Sequence, residues 1–137
     1  AGCGSLRDFL INRARSFIFS TAPPAPVAAA AAKAVEILGA EEGRGLLHSL
    51  RENIRNLGTS LGLPEASSAI IPIIIGEEAA AMTASGRLLD SGFLVPAIRF
   101  PTVSRGAARL RVTVSAAHSA RDIADLVEVL KPLIASQ

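Results

Sequence analysis

The strictest pattern in this chain is an alternation of apolar and polar residues over ARLRVTVS, residues 108–115. Leu110, Val112 and Val114 fall on one face of an extended backbone, and two arginines and Thr113 fall on the other. This alternation predicts a strand with one face buried and the other face open. The chain must therefore fold around a sheet that other elements cover on its core side.

The segments before this strand supply its expected neighbours. Residues 69–76, AIIPIIIG, and residues 93–100, FLVPAIRF, are short apolar runs with β-branched or aromatic side chains, which is typical of strands. Pro72 lacks a backbone donor and predicts that part of the first run lies at a sheet edge or a bulge. Residues 77–92 begin with glutamates and end in glycine, which favours a helix between the two strands.

Helices are predicted before and after this region of the chain. Leucine and isoleucine recur at steps of three and four over residues 47–61, as on the apolar face of an amphipathic helix. Ser119, with Asp122 three positions later, has the spacing of a capping box that begins a final helix. The alanine-rich residues 27–38 favour another helix, and the glycines of residues 39–45 predict that this helix is broken there.

The first residues of the chain are predicted to form a short helix and then an extended piece. Ser5 and Asp8 have capping-box spacing at the start of residues 5–15, and residues 16–24 combine aromatic and β-branched residues with prolines. The whole order predicts an α+β (α/β) fold. A small antiparallel sheet of about three strands is covered by helices and preceded by a long broken helix.

The composition argues against several functions. The 137 residues carry 14 basic and 12 acidic side chains, and the 4% of aromatic residues include neither Trp nor Tyr, which is unlike a nucleic-acid-binding domain. No apolar run reaches the ~18 residues of a membrane-spanning helix. One cysteine and two histidines predict no internal disulfide and no metal site, and a cytoplasmic protein is expected. The apolar content of 50% indicates surface that another domain or subunit covers. Alternatively, it reflects only a source whose proteins are generally rich in alanine.

Three motifs resemble segments of one enzyme family. They are ARSFIFSTAPP at residues 14–24, SGFLVPAIRFPTV at residues 91–103 and ARLRVTVSAAH at residues 108–118. Over essentially its whole length, the chain resembles the C-terminal part of the α-oxoamine synthases, which are pyridoxal-phosphate enzymes of fold type I. The resemblance implies that residues 1–40 are the end of the large cofactor domain with a connecting helix. It also implies that residues 41–137 are the C-terminal small domain.

Within that family, the resemblance is strongest to the branch that condenses L-alanine with a pimeloyl thioester of coenzyme A or of a carrier protein. Carbon dioxide is lost, and the product is 8-amino-7-oxononanoate, a precursor of biotin. The family's cofactor lysine is expected upstream of Ala1, so the resemblance implies no catalytic residue in this chain, which is expected to be inactive alone. A sister synthase of the aminoketobutyrate-ligase or serine-palmitoyltransferase type and a non-catalytic α+β binding module are the alternatives.

Arginines in the second half of the chain are candidates for binding a carboxylate. A guanidinium holds a carboxylate through two parallel hydrogen bonds and keeps its charge. Arg99 and Arg111 fall at the end of one predicted strand and within the next, and adjacent strands can bring them to one cleft. Alternation does not separate Arg109 from Arg111, and surface salt bridges are the alternative for all of these arginines. The resemblance implies that Arg111 binds the substrate carboxylate and that Arg99 lies nearby.

Two hydroxyl residues before a proline turn are candidates for binding a phosphate. Hydroxyls and backbone N–H groups near a helix start suit that anion, although helix capping explains Ser20 and Thr21 equally well. The resemblance implies that Thr21, together with Ser20, contacts the phosphate of pyridoxal phosphate in the neighbouring subunit, so the complete enzyme is expected to be a homodimer. Phe100 replaces the proline usual in the family, which leaves the turn freer or packs the ring against a neighbour.

Overall fold

The computed structural model describes residues 2–63 and 66–135. The chain divides into two compact units, Ala1–Ala40 and Glu41–Gln137. In the first unit the described helices are α1 (Gly4–Arg13), α2 (Arg15–Ile18) and α3 (Ala25–Gly39). In the second unit the elements follow the order α4 (Glu41–Ser60), β1 (Ile70–Gly76), α5 (Glu78–Asp90), β2 (Ala97–Ile98), β3 (Ala108–Thr113) and α6 (Ala120–Ala135). This order confirms the predicted fold class.

The start of α1 differs from the prediction. Its N-cap residue is Cys3, and no side chain caps the helix. The expected box of Ser5 and Asp8 is not formed, because Ser5 lies inside the helix; the Asp8 carboxylate accepts a 3.0 Å hydrogen bond from Nε of Arg7. The prediction was wrong because the spacing identifies a possible cap without determining the residue at which the helix begins.

The extended piece predicted over residues 16–24 is wrong in its first half. Residues of α2 form a single helical turn, in which the Ile18 N–H donates to the Ala14 carbonyl at 2.9 Å. Non-helical backbone is limited to the stretch before α3, whose first turn contains Pro26. A proline is tolerated there because the first N–H groups of a helix have no intrahelical acceptor.

The predicted break in the long helix is confirmed. Helix α3 ends at Gly39, Ala40 has extended dihedral angles (φ −90°, ψ 177°), and α4 begins at Glu41. Glu41 and Glu42 place two carboxylates in the first turn of α4, where the partial positive charge of the helix start favours them. Glycine and local electrostatics together explain why one helix ends and a second begins at this point.

The sheet has β3 in its centre, with the strand order β1-β3-β2 and both pairs antiparallel. Strand β1 is therefore an edge strand, and its Pro72 lies opposite Arg111. The Arg111 N–H donates at 3.0 Å to the Pro96 carbonyl, on the side of β3 away from β1. Pro72 and Arg111 therefore form a pair without hydrogen bonds between them, and the nitrogen of Pro72 faces away from β3. The predicted edge position of this proline is confirmed, and a register shift follows between Ile74 and Gly76.

One face of the sheet forms the core of the second unit. Leu110 and Val112 of β3 are fully buried, as their alternation predicted. Helix α5 packs against all three strands, and α4 packs against α6. Each helix adds a fully buried leucine, namely Leu57 of α4, Leu88 of α5 and Leu130 of α6. The arginine-bearing face of β3 is thereby left outside the core.

The second predicted strand is much shorter than the apolar run that suggested it. Only Ala97 and Ile98 pair with β3. Phe93 instead closes the end of α5, since its N–H donates to the Leu88 carbonyl at 2.8 Å while Gly92 adopts a φ of 88°. This is a Schellman motif, which uses glycine because the left-handed conformation disfavours a Cβ. An apolar run thus contains a helix end as well as a strand.

Gly58 and Gly86 offer a matched test of the packing. A Cβ on buried Gly58 would lie 2.9 Å from the Cβ of Ala66 and 3.1 Å from the Leu63 carbonyl oxygen, whereas a Cβ on Gly86 meets nothing within 4 Å. We expect Gly58→Ala to lower the free energy of unfolding by about 1–3 kcal/mol through overpacking. We expect Gly86→Ala to raise it by about 0.5–1 kcal/mol through helix propensity. Urea denaturation of both variants checks this, and changes of the same sign would contradict the packing.

The capping box at the start of α6 is confirmed and predicts a pH dependence. The Ser119 N–H and hydroxyl donate to Asp122 Oδ2 at 2.7 and 2.8 Å, and the Asp122 N–H donates to the Ser119 hydroxyl at 3.1 Å. The Ser119 N–H, and then its hydroxyl, hold the pKa of Asp122 below its ordinary value of 3.8. A lowered carboxyl pKa adds stability above the unfolded-state pKa, and this stability is lost as the pH falls through the folded-state pKa.

We therefore expect Asp122→Asn to lower the melting temperature at pH 6 and to have little effect at a pH well below 3.8. Asparagine keeps the shape of the side chain and removes its charge, so the low-pH comparison controls for packing. Thermal melts of both proteins across this range measure the difference. A difference that stays constant with pH would show that the carboxylate charge has no part in the cap.

Candidate functional site

The uncovered face of the sheet, here called the open sheet face, combines two arginines with apolar side chains. The register places Arg109 opposite Ile74 and Ile98, and Arg111 opposite Pro72. The residues of this face are Ile70, Pro72, Ile74, Ile98, Arg109, Arg111 and Thr113. Its charged members are the two arginines, which lie on the strand that is paired on both sides. A cation among apolar neighbours loses competing water when the face is covered, which strengthens its attraction for an anion.

Local contacts distinguish the two arginines of the open sheet face, which alternation alone could not do. Arg109 is half-buried, and its Nε donates to the Ala107 carbonyl at 3.1 Å. The Arg111 side chain is exposed and has neither a hydrogen bond nor an ion pair within the part of the chain that the structure describes. All guanidinium donors of Arg111 are therefore available to a ligand, whereas one donor of Arg109 is already used.

Arg99 follows the end of β2, the strand that pairs with β3, and it is offset from Arg111 along the strand direction. The Arg111 N–H bonds to Pro96, and Arg99 follows three residues after Pro96, so the two backbone positions are displaced by about 10 Å along the strand. The Arg99 carbonyl accepts the Thr102 N–H at 3.0 Å, which begins a turn. The structure thus places Arg111 on β3 and Arg99 directly after the end of the neighbouring strand β2, and the two residues do not face each other in the register.

Phe100 packs against a neighbouring side chain. Its ring lies 4.3 Å from the guanidinium carbon of Arg105, a cation–π contact that joins the two ends of this loop. The Phe100–Pro101 peptide is cis. The sequence does not predict this contact of Arg105, because residues five positions apart in a loop carry no pattern that indicates it.

Ser20 and Thr21 lie in the first unit, between α2 and α3. With Ser16 and Pro23 they line an open cavity of about 380 Å³. The Ser20 hydroxyl donates to the Ser16 carbonyl, so its proton is already used. The exposed Thr21 hydroxyl makes no hydrogen bond within the described residues. Thr21 can therefore donate to an anion, whereas Ser20 can only accept while its present bond is kept.

Asn53 holds the end of the arginine-bearing strand in place, and the sequence analysis missed it. It is buried, and its Nδ2 donates to the carbonyls of Ser115 and His118 at 3.1 and 2.8 Å. His118 Nδ1 accepts the Ser115 N–H at 3.2 Å, which closes the same loop. A polar residue among the apolar positions of residues 47–61 was the available clue. Buried polar groups need partners, and these bonds connect α4 to the segment that joins β3 to α6.

Comparison with known proteins gives the family. The family model described as aminotransferase class I and II matches residues 1–130. This chain belongs to that family. Among the residues that the structure describes, no helix has both the length and the apolar character needed to cross a bilayer.

Named relatives and solved structures agree with this membership. The 8-amino-7-oxononanoate synthase of Maricaulis maris is 48% identical over 128 residues, a match that covers 93% of this chain and 32% of that protein. A structure of SPT with PLP superimposes with a TM-score of 0.86 at 22% identity and covers 97% of this chain and 35% of that one. The 8-amino-7-oxononanoate synthase of Francisella tularensis gives a TM-score of 0.77 at 20% identity and covers 99% of this chain and 41% of that one.

These matches confirm the fold and the family that the sequence motifs implied. The chain spans about a third of the length of the curated relatives it matches. The remaining length of those relatives has no counterpart in these 137 residues. The activity of a complete protein must therefore be argued from the site and from the relatives together.

Proposed function

We propose that this chain is part of a pyridoxal-phosphate-dependent acyltransferase that condenses L-alanine with a pimeloyl thioester. Carbon dioxide is released, and 8-amino-7-oxononanoate is formed for biotin synthesis. Relatives that are 42% to 48% identical and carry the name 8-amino-7-oxononanoate synthase support this proposal. The structural observation that carries it is the guanidinium of Arg111 on the central strand of the sheet, which has no partner among the residues that the structure describes.

Arg111 is proposed to bind the carboxylate of the amino acid. Its backbone is fixed between two strands, so the guanidinium approaches from a rigid support and not from a loop. Two parallel N–H···O bonds would fix the plane of the carboxylate and therefore the direction of its bond to the α-carbon. That orientation matters because this is the bond that breaks when carbon dioxide leaves.

Arg99 is proposed to contact substrate from the loop that follows β2. Its backbone lies about 10 Å along the strand direction from that of Arg111, so we assign it to a different part of the substrates. A second anionic or polar group of the substrates is the more suitable partner. The turn that begins at the Arg99 carbonyl is stabilised by the Phe100–Arg105 contact at its far side.

Thr21 is the described residue best suited to the phosphate of the cofactor. Its hydroxyl has no partner among the described residues, and the open cavity beside it fits a phosphate, whereas Ser20 would have to release Ser16 before it could donate. When bound, pyridoxal phosphate supplies the electron sink for the bond that breaks.

We assign residues 1–40 to the end of the large domain and residues 41–137 to the small domain. We also assign the complete enzyme to a cytoplasmic homodimer in which Thr21 serves the neighbouring subunit.

A sister synthase that uses serine is the second candidate. The TM-score of 0.86 to a structure of SPT favours it, since this fold match is closer than the one to the Francisella tularensis synthase. The sequence identity of 48% to the Maricaulis maris synthase favours the alanine-specific reaction. Side-by-side assays with L-alanine and L-serine, each with pimeloyl and palmitoyl thioesters, distinguish the two proposals.

Substitution of Arg111 by lysine in the complete enzyme tests the proposed role. Lysine keeps the charge but loses the two-pronged geometry, and charge-assisted hydrogen bonds contribute about 1.5–3 kcal/mol. We expect the KM for L-alanine to rise about 10- to 100-fold, because each 1.4 kcal/mol is a factor of ten, while the KM for the acyl thioester changes little. Arg109→Lys, on the same face, is the matched control. Unchanged alanine affinity in Arg111→Lys, or an equal loss in the control, would refute the assignment.

A further inference from the structure

A second cavity in the second unit lies beside α4 and has a volume of about 390 Å³. One side is formed by the C-terminal half of α4, and the facing side includes Leu63, Ala66 and Ser67. Residues of α4 contribute at positions 51, 54, 55, 58 and 59, which form one continuous stripe of a helix. The proposed amino-acid site on the open sheet face uses none of these residues.

Arg51 and Arg55 line this cavity one helical turn apart. Both are exposed, and neither has an ion pair or hydrogen bond among residues 2–63 and 66–135. Two other helical arginines of this unit do have partners, since Arg44 pairs with Glu41 and Arg121 pairs with Asp125. Like charges at this spacing repel each other along a helix, and a bound anion would relieve that repulsion.

Two hydroxyl groups add uncharged donors to the same cavity. Thr59 continues the Arg51–Arg55 stripe by one more turn of α4, and Ser67 lies on the facing side. In the described residues, neither hydroxyl has a hydrogen-bond partner. Two guanidinium groups and two hydroxyls together offer more hydrogen-bond donors than the two oxygens of a single carboxylate would bind. The three terminal oxygens of a phosphate monoester match this set better.

The floor of the cavity is apolar and closely packed. Ile54 is buried, and Leu63 and Ala66 are half-buried beside it. Gly58 allows this packing, because a Cβ there would lie 2.9 Å from the Cβ of Ala66. An apolar floor beside a cationic rim suits a ligand that carries an organic group next to its phosphate.

We propose that this cavity binds the phosphate monoester of a small organic molecule. Arg51 and Arg55 bind the phosphate oxygens, Thr59 and Ser67 donate further hydrogen bonds, and the apolar floor contacts the organic part. This binding goes beyond the proposed acyltransferase reaction and does not depend on the role of Arg111. A failure of either assignment leaves the other standing.

Calorimetric titration of the 137-residue chain tests the proposal, in low-salt buffer without other phosphate or sulfate. The probes are inorganic phosphate and adenosine 5′-monophosphate, which represent a free anion and an organic phosphate monoester with a single phosphate. We expect saturable binding of both probes, with the adenosine monophosphate at least 10-fold tighter. Binding without saturation up to millimolar concentration would overturn the site. Equal affinity for the two probes would overturn the proposed role of the apolar floor.

Paired variants identify the residues responsible. Arg51→Gln with Arg55→Gln removes two positive charges from the cavity, and Arg44→Gln with Arg121→Gln removes two from elsewhere on the helices. We expect the first pair to weaken binding of adenosine 5′-monophosphate at least 10-fold and the second pair to weaken it less than 3-fold. Equal weakening would show that the affinity comes from net charge alone and would overturn the proposal. Thermal melts confirm that each variant is folded before titration.

Discussion

The hydrogen bonding of β3 on both of its edges is the constraint on which the rest of the second unit depends. Antiparallel pairing with β1 and β2 fixes the register, and a slip of one residue would exchange the buried and open faces. Leu110 and Val112 are buried by this register, and the same register leaves Arg109 and Arg111 outside the core. The hydrophobic core and the candidate binding face are therefore two consequences of one alternating sequence.

The elements around β3 hold that register by different means. Helix α5 covers the core face of all three strands, and Asn53 binds the backbone that follows β3 through two hydrogen bonds. Glycine-based helix ends at Gly62 and Gly92 turn the chain after α4 and α5. Because the hydrogen bonds of Asn53 and of the helix ends are directional, they define positions more sharply than apolar packing does. A guanidinium supported in this way can orient a ligand as well as attract one.

Much of this fold was predictable because its patterns are local. The alternation of β3, the spacing of leucines along α4 and the Ser119–Asp122 box each depend on residues close together in sequence, and the structure has all three. The same kind of reasoning was wrong at Ser5, because the helix begins one residue earlier, at Gly4. It was also wrong over residues 16–18, where one helical turn forms despite β-branched and aromatic side chains.

The candidate site was less predictable, because its distinguishing features are contacts between distant or unpatterned positions. Alternation could not choose between Arg109 and Arg111, since the choice depends on the bond from Arg109 to Ala107. The bonds from Asn53 to Ser115 and His118 join residues more than sixty positions apart. The family motifs supplied a role for Arg111 that spacing alone did not, and that role is the central claim.

A crystal structure of the complete enzyme with its cofactor and L-alanine tests this claim most directly. The account predicts that two guanidinium nitrogens of Arg111 lie about 2.7–2.9 Å from the two oxygens of the alanine carboxylate, the distance of a charge-assisted pair. A carboxylate bound by Arg109, or an Arg111 side chain directed away from the ligand into solvent, would contradict it.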